Sequence, residues 1–191
     1  KEILWADAHA PEQCGELAKT CDIAVVSVTG YNGIWNRKYV NGCDLEMFVE
    51  DTCAARLRAI HQTDTPIVAI YHVRGNPFPI PWCAENAAAI LFAPGAPWYG
   101  AKGPNGGGWP EILLGEYEPR GKLPVQIPRS MAQVKAQRED LPFDLGCTEE
   151  EMQQIEDAIG RGESPPKRLG DPLFEYGITG WGPTKSQRSS K

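Results

Sequence analysis

The stretch 66-PIVAIYHV-73 decides the fold. Its apolar residues follow one another without the alternation that a strand facing water on one side would show, and several are β-branched. This pattern predicts a short strand buried on both faces, the usual situation in a parallel sheet. Upstream, 22-DIAVVSV-28 carries the same signature, and downstream so does 88-AAILFA-93. Between the first two lies 45-LEMFVEDTCAARLRAIHQ-62, where Leu45, Phe48, Val49, Ala55 and Ile60 recur at helical spacing with charges on the other side. The spacing predicts a helix over 45–62.

Further helices follow from their ends. Pro11 stands at a first-turn position of 11-PEQCGELAKTC-21, with early acid and late Lys19 as the helix dipole prefers. Pro110 and Gly115 bracket a short helix in 109-WPEILLGE-116. Thr148 followed by Glu151 reads as the capping box of a helix over 148–162. Strands alternating with helices predict an α/β fold: a three-layer αβα sandwich with helices on both faces of a mainly parallel, flavodoxin-like sheet. In 119-PRGKLPVQIPRS-130, Gly121 supplies a turn between Pro119 and Pro124. There Leu123, Val125 and Ile127 alternate as a short strand that Pro128 ends. The expected domain spans 1–182, followed by a polar tail over 183–191.

Bulk properties narrow the function classes. At 191 residues, with 41% hydrophobic and 23% charged, the chain is long enough for a core of its own and too polar for a membrane span. The net charge of −6, without a basic stripe, argues against nucleic-acid and membrane partners. The chain opens at Lys1 without Met, as a processed or excised piece would. Six cysteines without a CxxC pair, and no histidine at ligand spacing, predict no metal site and favour free thiols. No cofactor is expected either: no GxGxxG is present, and no Lys-Ser/Thr follows the glycines of 94-PGAPWYGAKGPNGGGW-109. Ser27 sits inside a strand rather than on a nucleophile elbow, so acyl transfer is poorly served.

Ligands of open α/β sheets bind beyond the carboxyl ends of the strands, which directs attention to the loops after Val28, Val73 and Ala93. The first of them, 29-TGYNGIWNRKYVNGCD-44, sets Trp35, Asn36 and Arg37 near Asp44, with Glu46 just beyond. Aromatic, amide, guanidinium and carboxylate groups together suit a sugar, with its apolar CH patches and its hydroxyls. The same loop reads equally as a solvated connection. Asp44 and Glu46 are the best acid candidates, because they fall where the loop meets its helix, whereas Glu50, Glu149 and Glu156 look solvated on helix faces. The second loop, 74-RGNPFPIPW-82, reads as a stiff packing corner.

Several blocks, in order, resemble the second, α/β sandwich domain of family 3 glycoside hydrolases, which include β-glucosidases and β-N-acetylhexosaminidases. They are 66-PIVAIYHV-73 with 75-GNPFPIPW-82, Pro94-Gly95, 106-GGGWPEILLGE-116, 119-PRGKLPVQIPRS-130 and 172-PLFEYGITGWG-182. The resemblance covers about 22–182. It implies a carbohydrate substrate and a TIM-barrel partner domain that carries the nucleophile and needs about 250 residues of its own. It also implies that Asp44 matches an Asp of the family's first sandwich loop, while Leu45 stands where the family has Arg. The usual upstream Glu is replaced by residues such as Tyr39 or Asn41. The stretch 97-PWYGAKGPN-105 is additional to the common pattern and is expected at a pocket rim or a subunit contact, a homo-oligomer being one such assembly. Two functions remain open: a second domain that completes the barrel's active site on β-linked glucosides or N-acetylglucosaminides, and a non-catalytic carbohydrate-binding or assembly module. The chain alone is expected to be inactive.

Overall fold

The computed structural model describes residues 2–7, 9–28, 30–32, 39–40, 43–44, 47–49, 51–73, 77–94, 109–118 and 120–178. Its centre is a parallel sheet of β1 (Ala24–Val28), β6 (Ile67–Val73) and β7 (Ala89–Pro94), in the order β1-β6-β7. Ala24 pairs with Ile67 and Val28 with Tyr71, while Val68 pairs with Ala89 and Val73 with Pro94. The run that reads as buried on both faces is the central strand, and Ile67, Val68, Ala69, Ile70 and Tyr71 are all buried. β1 has a similar composition but a neighbouring strand on one side only among the described residues, and its burial alternates: Val26 and Val28 are buried, Val25 is 46% exposed. Position in the sheet, not composition, separates the two strands.

Helices α2 (Asp51–His61) and α3 (Pro81–Asn86) make the two crossovers. Right-handed crossovers that step in one direction along a sheet put both helices on the same face. The core agrees, since Cys53, Leu57 and Ile60 of α2 and Cys83 of α3 join Val26, Val28, Ala69, Tyr71 and Val73 in one apolar cluster. α1 (Pro11–Ala18) begins at Pro11, as expected, and packs on α2. Gly15 makes the approach close: a Cβ there would lie 3.1 Å from the Ala59 carbonyl oxygen. The Thr65 hydroxyl donates to Ala18 O at 2.9 Å and closes the loop beneath.

The helix expected over 45–62 starts later. Met47–Val49 forms a strand instead, and α2 opens at Asp51, where an acidic residue suits the N-terminal dipole. Phe48 and Val49 are good strand formers that find antiparallel partners in Tyr31 and Gly30, so pairing overrides a helical spacing that they share only by coincidence. The stripe that α2 buries is Cys53, Leu57 and Ile60, with Ala55 only half-buried.

The second correction concerns Leu123 to Ile127. No strand forms there; Ile127 makes a single antiparallel bridge to Phe174. Pro124 and Pro128 have no N–H to give, so the ladder is reduced to what remains. Leu123 N donates to Ile178 O and Gly177 N to Leu123 O, while Ile127 N donates to Phe174 O and Leu173 N to Ile127 O. Beside this seam the Arg129 guanidinium reaches Asp171 Oδ1 at 2.8 Å, and Gln133 Nε2 reaches Asp171 O at 2.7 Å. Two blocks far apart in sequence are thereby sewn together.

The stretch between them holds α5 (Met131–Lys135) and α6 (Glu149–Gly160). The capping box of α6 is formed: Thr148 Oγ1 accepts from Glu151 N at 3.2 Å, and Thr148 N donates to Glu151 Oε2 at 2.8 Å. Leu141, Met152 and Ile155 make a separate small apolar cluster, with Cys147 and Leu169 at its margin. Arg138 ties the loop to α6 through Glu149 and through Glu156 at 2.6 Å. α4 (Trp109–Leu113) is followed by Gly115 at φ 75°, as the helix-stop reading requires.

Candidate functional site

Because β1, β6 and β7 are parallel, their carboxyl ends lie along one edge, and the loops after Val28, Val73 and Pro94 leave from it together. The second of these loops is pinned by Tyr71. Its buried hydroxyl donates to Phe78 O at 2.8 Å and accepts from Phe78 N at 2.7 Å, and the two rings meet edge to face at 4.7 Å. Burial pushes the Tyr71 phenol well above its ordinary range, so it serves as a fixed neutral clamp and not as an acid. Over 77–82, the described part of 74–82, that is the packing corner expected. Residues 95–108 of the third loop lie outside the described residues.

The first loop is organised as an arm. β2 (Gly30–Asn32) pairs antiparallel with β5 (Met47–Val49), and further out β3 (Tyr39–Val40) pairs antiparallel with β4 (Cys43–Asp44). Val40 and Cys43 are partners, so the connection between them is two residues long, and the sequence there is Asn41-Gly42. An Asn-Gly pair tolerates the positive φ angles of a tight hairpin turn and is the strongest short hairpin signal in a sequence.

Of the five sequence candidates, Asp44 is placed in β4, opposite Tyr39. Trp35, Asn36, Arg37 and Glu46 lie outside the described residues. The register still relates them in chain terms. The rungs Asn32 with Met47 and Tyr39 with Asp44 bracket 33–38 on one strand and 45–46 on the other. Trp35, Asn36 and Arg37 belong to the longer of these intervals and Glu46 to the shorter, so all five candidates fall at or between the same two rungs.

Other reactive groups among the described residues have structural roles. The His61 ring packs edge-on against Trp82 at 5.4 Å. Cys14, Cys21, Cys53, Cys83 and Cys147 are free thiols. Burial, and then neighbouring Cys53, push Cys83 up to about 12, while burial and the carboxylates of Glu151 and Asp144 push Cys147 up to about 11. Neither is an activated nucleophile at neutral pH. Among the described residues no group of three or more His, Cys, Asp and Glu is placed to hold a metal ion, and no helix is long and apolar enough to cross a membrane. A groove of about 280 Å³ along α6 is lined by Gln154, Asp157, Arg161, Glu163 and Ser164, and draws on none of the candidates.

Fold and site together describe an α/β sandwich domain with an antiparallel arm at the carboxyl edge of its sheet. Residues 7–179 match the model of the glycosyl hydrolase family 3 C-terminal domain. The chain belongs to that family. Among curated proteins, Beta-glucosidase C of Emericella nidulans is 38% identical over 90 residues, 47% of this chain and 13% of that protein. Probable beta-glucosidase C of Aspergillus flavus is 36% identical over 94 residues, 49% of this chain and 13% of that protein. Beta-xylosidase of Formosa agariphila is 30% identical over 124 residues, 64% of this chain and 14% of that protein. The chain thus matches only a small fraction of the length of each of these relatives.

Proposed function

We propose that this chain acts as the second domain of a family 3 glycoside hydrolase and completes the active site of a TIM-barrel domain that hydrolyses β-linked glucosides or xylosides. The observation that supports this is the family match over 7–179, together with relatives named as β-glucosidase and β-xylosidase. Retaining hydrolysis uses two carboxyl groups about 5 Å apart, one attacking the anomeric carbon and the other giving and then taking a proton. In this reading the barrel provides the nucleophile. The arm after β1 brings the acid/base from Asp44 or Glu46, and Trp35, Asn36 and Arg37 contact the sugar.

Hydrolysis of p-nitrophenyl β-glucoside and β-xyloside tests it. The purified 191-residue chain is expected to release no nitrophenol alone and to raise the rate when joined to a family 3 barrel domain. Turnover by the chain alone would sink the proposal. A second reading, a carbohydrate-binding or assembly module without catalysis, is favoured by Leu45, which follows Asp44 where the family pattern has Arg. Sugar binding by the chain with no rate gain from any barrel would select that reading.

A further inference from the structure

We infer that Phe143 and Tyr176 form a second ligand site, an aromatic clasp for a sugar that carries a free ammonium group, which the chain's own Lys167 occupies as a plug. The clasp lies where the stretch around α5 and α6 meets the seam, and it does not depend on the reading of the arm after β1.

Phe143 has φ 64°, in the left-handed region that a bulky side chain rarely enters. Such strain persists only where the surroundings impose it. Here the next residue is the anchor: the buried Asp144 carboxylate accepts from Gln137 Nε2 and from Arg138 N, both at 2.8 Å. Tyr176 stands between two other fixed points, since Phe174 O accepts from Ile127 N and Gly177 N donates to Leu123 O. The two half-buried rings meet edge to face with centroids 5.2 Å apart. Over them lies the ammonium of exposed Lys167, 5.1 Å from the Tyr176 centroid and 6.0 Å from that of Phe143. An ammonium within about 6 Å of a ring centroid is attracted by the negative face of the ring, and aromatic cages bind organic cations in this way. Among the described residues Lys167 makes no ion pair, whereas Arg168 beside it reaches Glu175 at 3.8 Å. The rings are thus what holds the Lys167 ammonium, and a long side chain regains rotamer freedom when it leaves. A ligand that replaces it must offer the same ammonium together with CH groups that pack on the rings. An amino sugar does both, and a net charge of −6 draws it in. Membership of a glycoside hydrolase family favours a sugar as the carrier of the cation.

NMR titration of the labelled 191-residue chain tests the inference, with glucosamine disaccharide at mildly acid pH, with cellobiose as its neutral counterpart, and with tetramethylammonium. The Phe143 and Tyr176 ring signals should move with the glucosamine disaccharide along one saturating curve and stay still with cellobiose. Lys167→Ala removes the plug; with the plug seated about nine-tenths of the time, affinity should rise about tenfold. Phe143→Asn replaces the ring with a residue that tolerates positive φ, so it should keep the melting temperature and weaken binding about tenfold. Tyr176→Leu should weaken binding to a similar degree. Affinity unchanged by Lys167→Ala, or by both ring variants, overturns the inference. A melting temperature lower by more than about 5 °C in Phe143→Asn also overturns it, because the ring would then be a packing group. Movement with tetramethylammonium but not with the disaccharide would sink the assignment to an amino sugar. Silence of both rings up to about 50 mM ligand, far above a millimolar Kd, would overturn the clasp and leave the proposed role of the domain standing.

Discussion

Tyr71→Phe removes a single oxygen atom and strands two backbone groups. In the folded protein the Tyr71 hydroxyl serves both the N–H and the carbonyl of Phe78, at 2.7 and 2.8 Å, and both residues are buried. Phenylalanine keeps the edge-to-face ring contact at 4.7 Å, so the substitution isolates the polar part of the clamp. Two ordinary hydrogen bonds would be worth about 1 kcal/mol each, but a buried group left unsatisfied costs about 1–3 kcal/mol, and here there are two of them. The expected loss is about 2–4 kcal/mol, a large part of the roughly 5–15 kcal/mol that holds a domain together. In a domain of this size that corresponds to a melting temperature lower by roughly 5–15 °C. Urea unfolding followed by tryptophan fluorescence measures it, with an unchanged m-value showing that the unfolded state is the same. A loss below about 0.5 kcal/mol would refute the reasoning, because it would mean that Phe78 finds other partners at no cost.

Gly170→Ala and Gly162→Ala form a matched pair, since both positions have positive φ, 75° and 72°, but a Cβ at Gly170 would lie 2.4 Å from Leu145 O and one at Gly162 would meet nothing within 4 Å. Gly162→Ala should cost about 1–2 kcal/mol for the left-handed backbone alone and Gly170→Ala at least about 3 kcal/mol, as read by denaturant midpoints; equal losses would remove the steric argument. Gly15→Val should destabilise by about 1–3 kcal/mol by driving α1 off the Ala59 carbonyl, and thermal melts check it. The Glu151 carboxylate accepts from Thr148 N and Gly170 N, which holds its pKa below the ordinary Glu value. A depressed carboxylate pKa contributes stability above the ordinary value of about 4.3 that is lost as the pH falls through the folded value, so Glu151→Gln should flatten the acid limb of a stability curve and change the region above pH 6 less steeply with pH.

The parallel sheet could be read from β6 because a central strand needs apolar residues on both faces, and only a few residue types supply them. The start of α2 could not be placed from periodicity. Phe48 and Val49 satisfy a helical spacing and a strand equally, and the deciding fact, their pairing with Tyr31 and Gly30, is a contact that no local window contains. The capping box at Thr148 and Glu151 was legible because both partners lie within one turn. In the candidate site, Trp35, Asn36, Arg37, Asp44 and Glu46 stand out by residue type, whereas the pairing of Tyr39 with Asp44 is a register that residue type alone does not give. Asn41-Gly42, between the paired Val40 and Cys43, is a short-hairpin signal already present in the sequence.

The seam between Leu123 to Ile127 and Leu173 to Ile178 has a consequence for how the molecule comes apart. Because its hydrogen bonds bring the two ends of the intervening stretch together, that stretch is a closed annex with its own apolar centre at Leu141, Met152 and Ile155. An annex of this kind can loosen while β1, β6 and β7 stay paired, as partial openings of folded proteins do. Hydrogen exchange should therefore resolve two tiers of protection, and gentle proteolysis should nick the 160s long before the sheet yields.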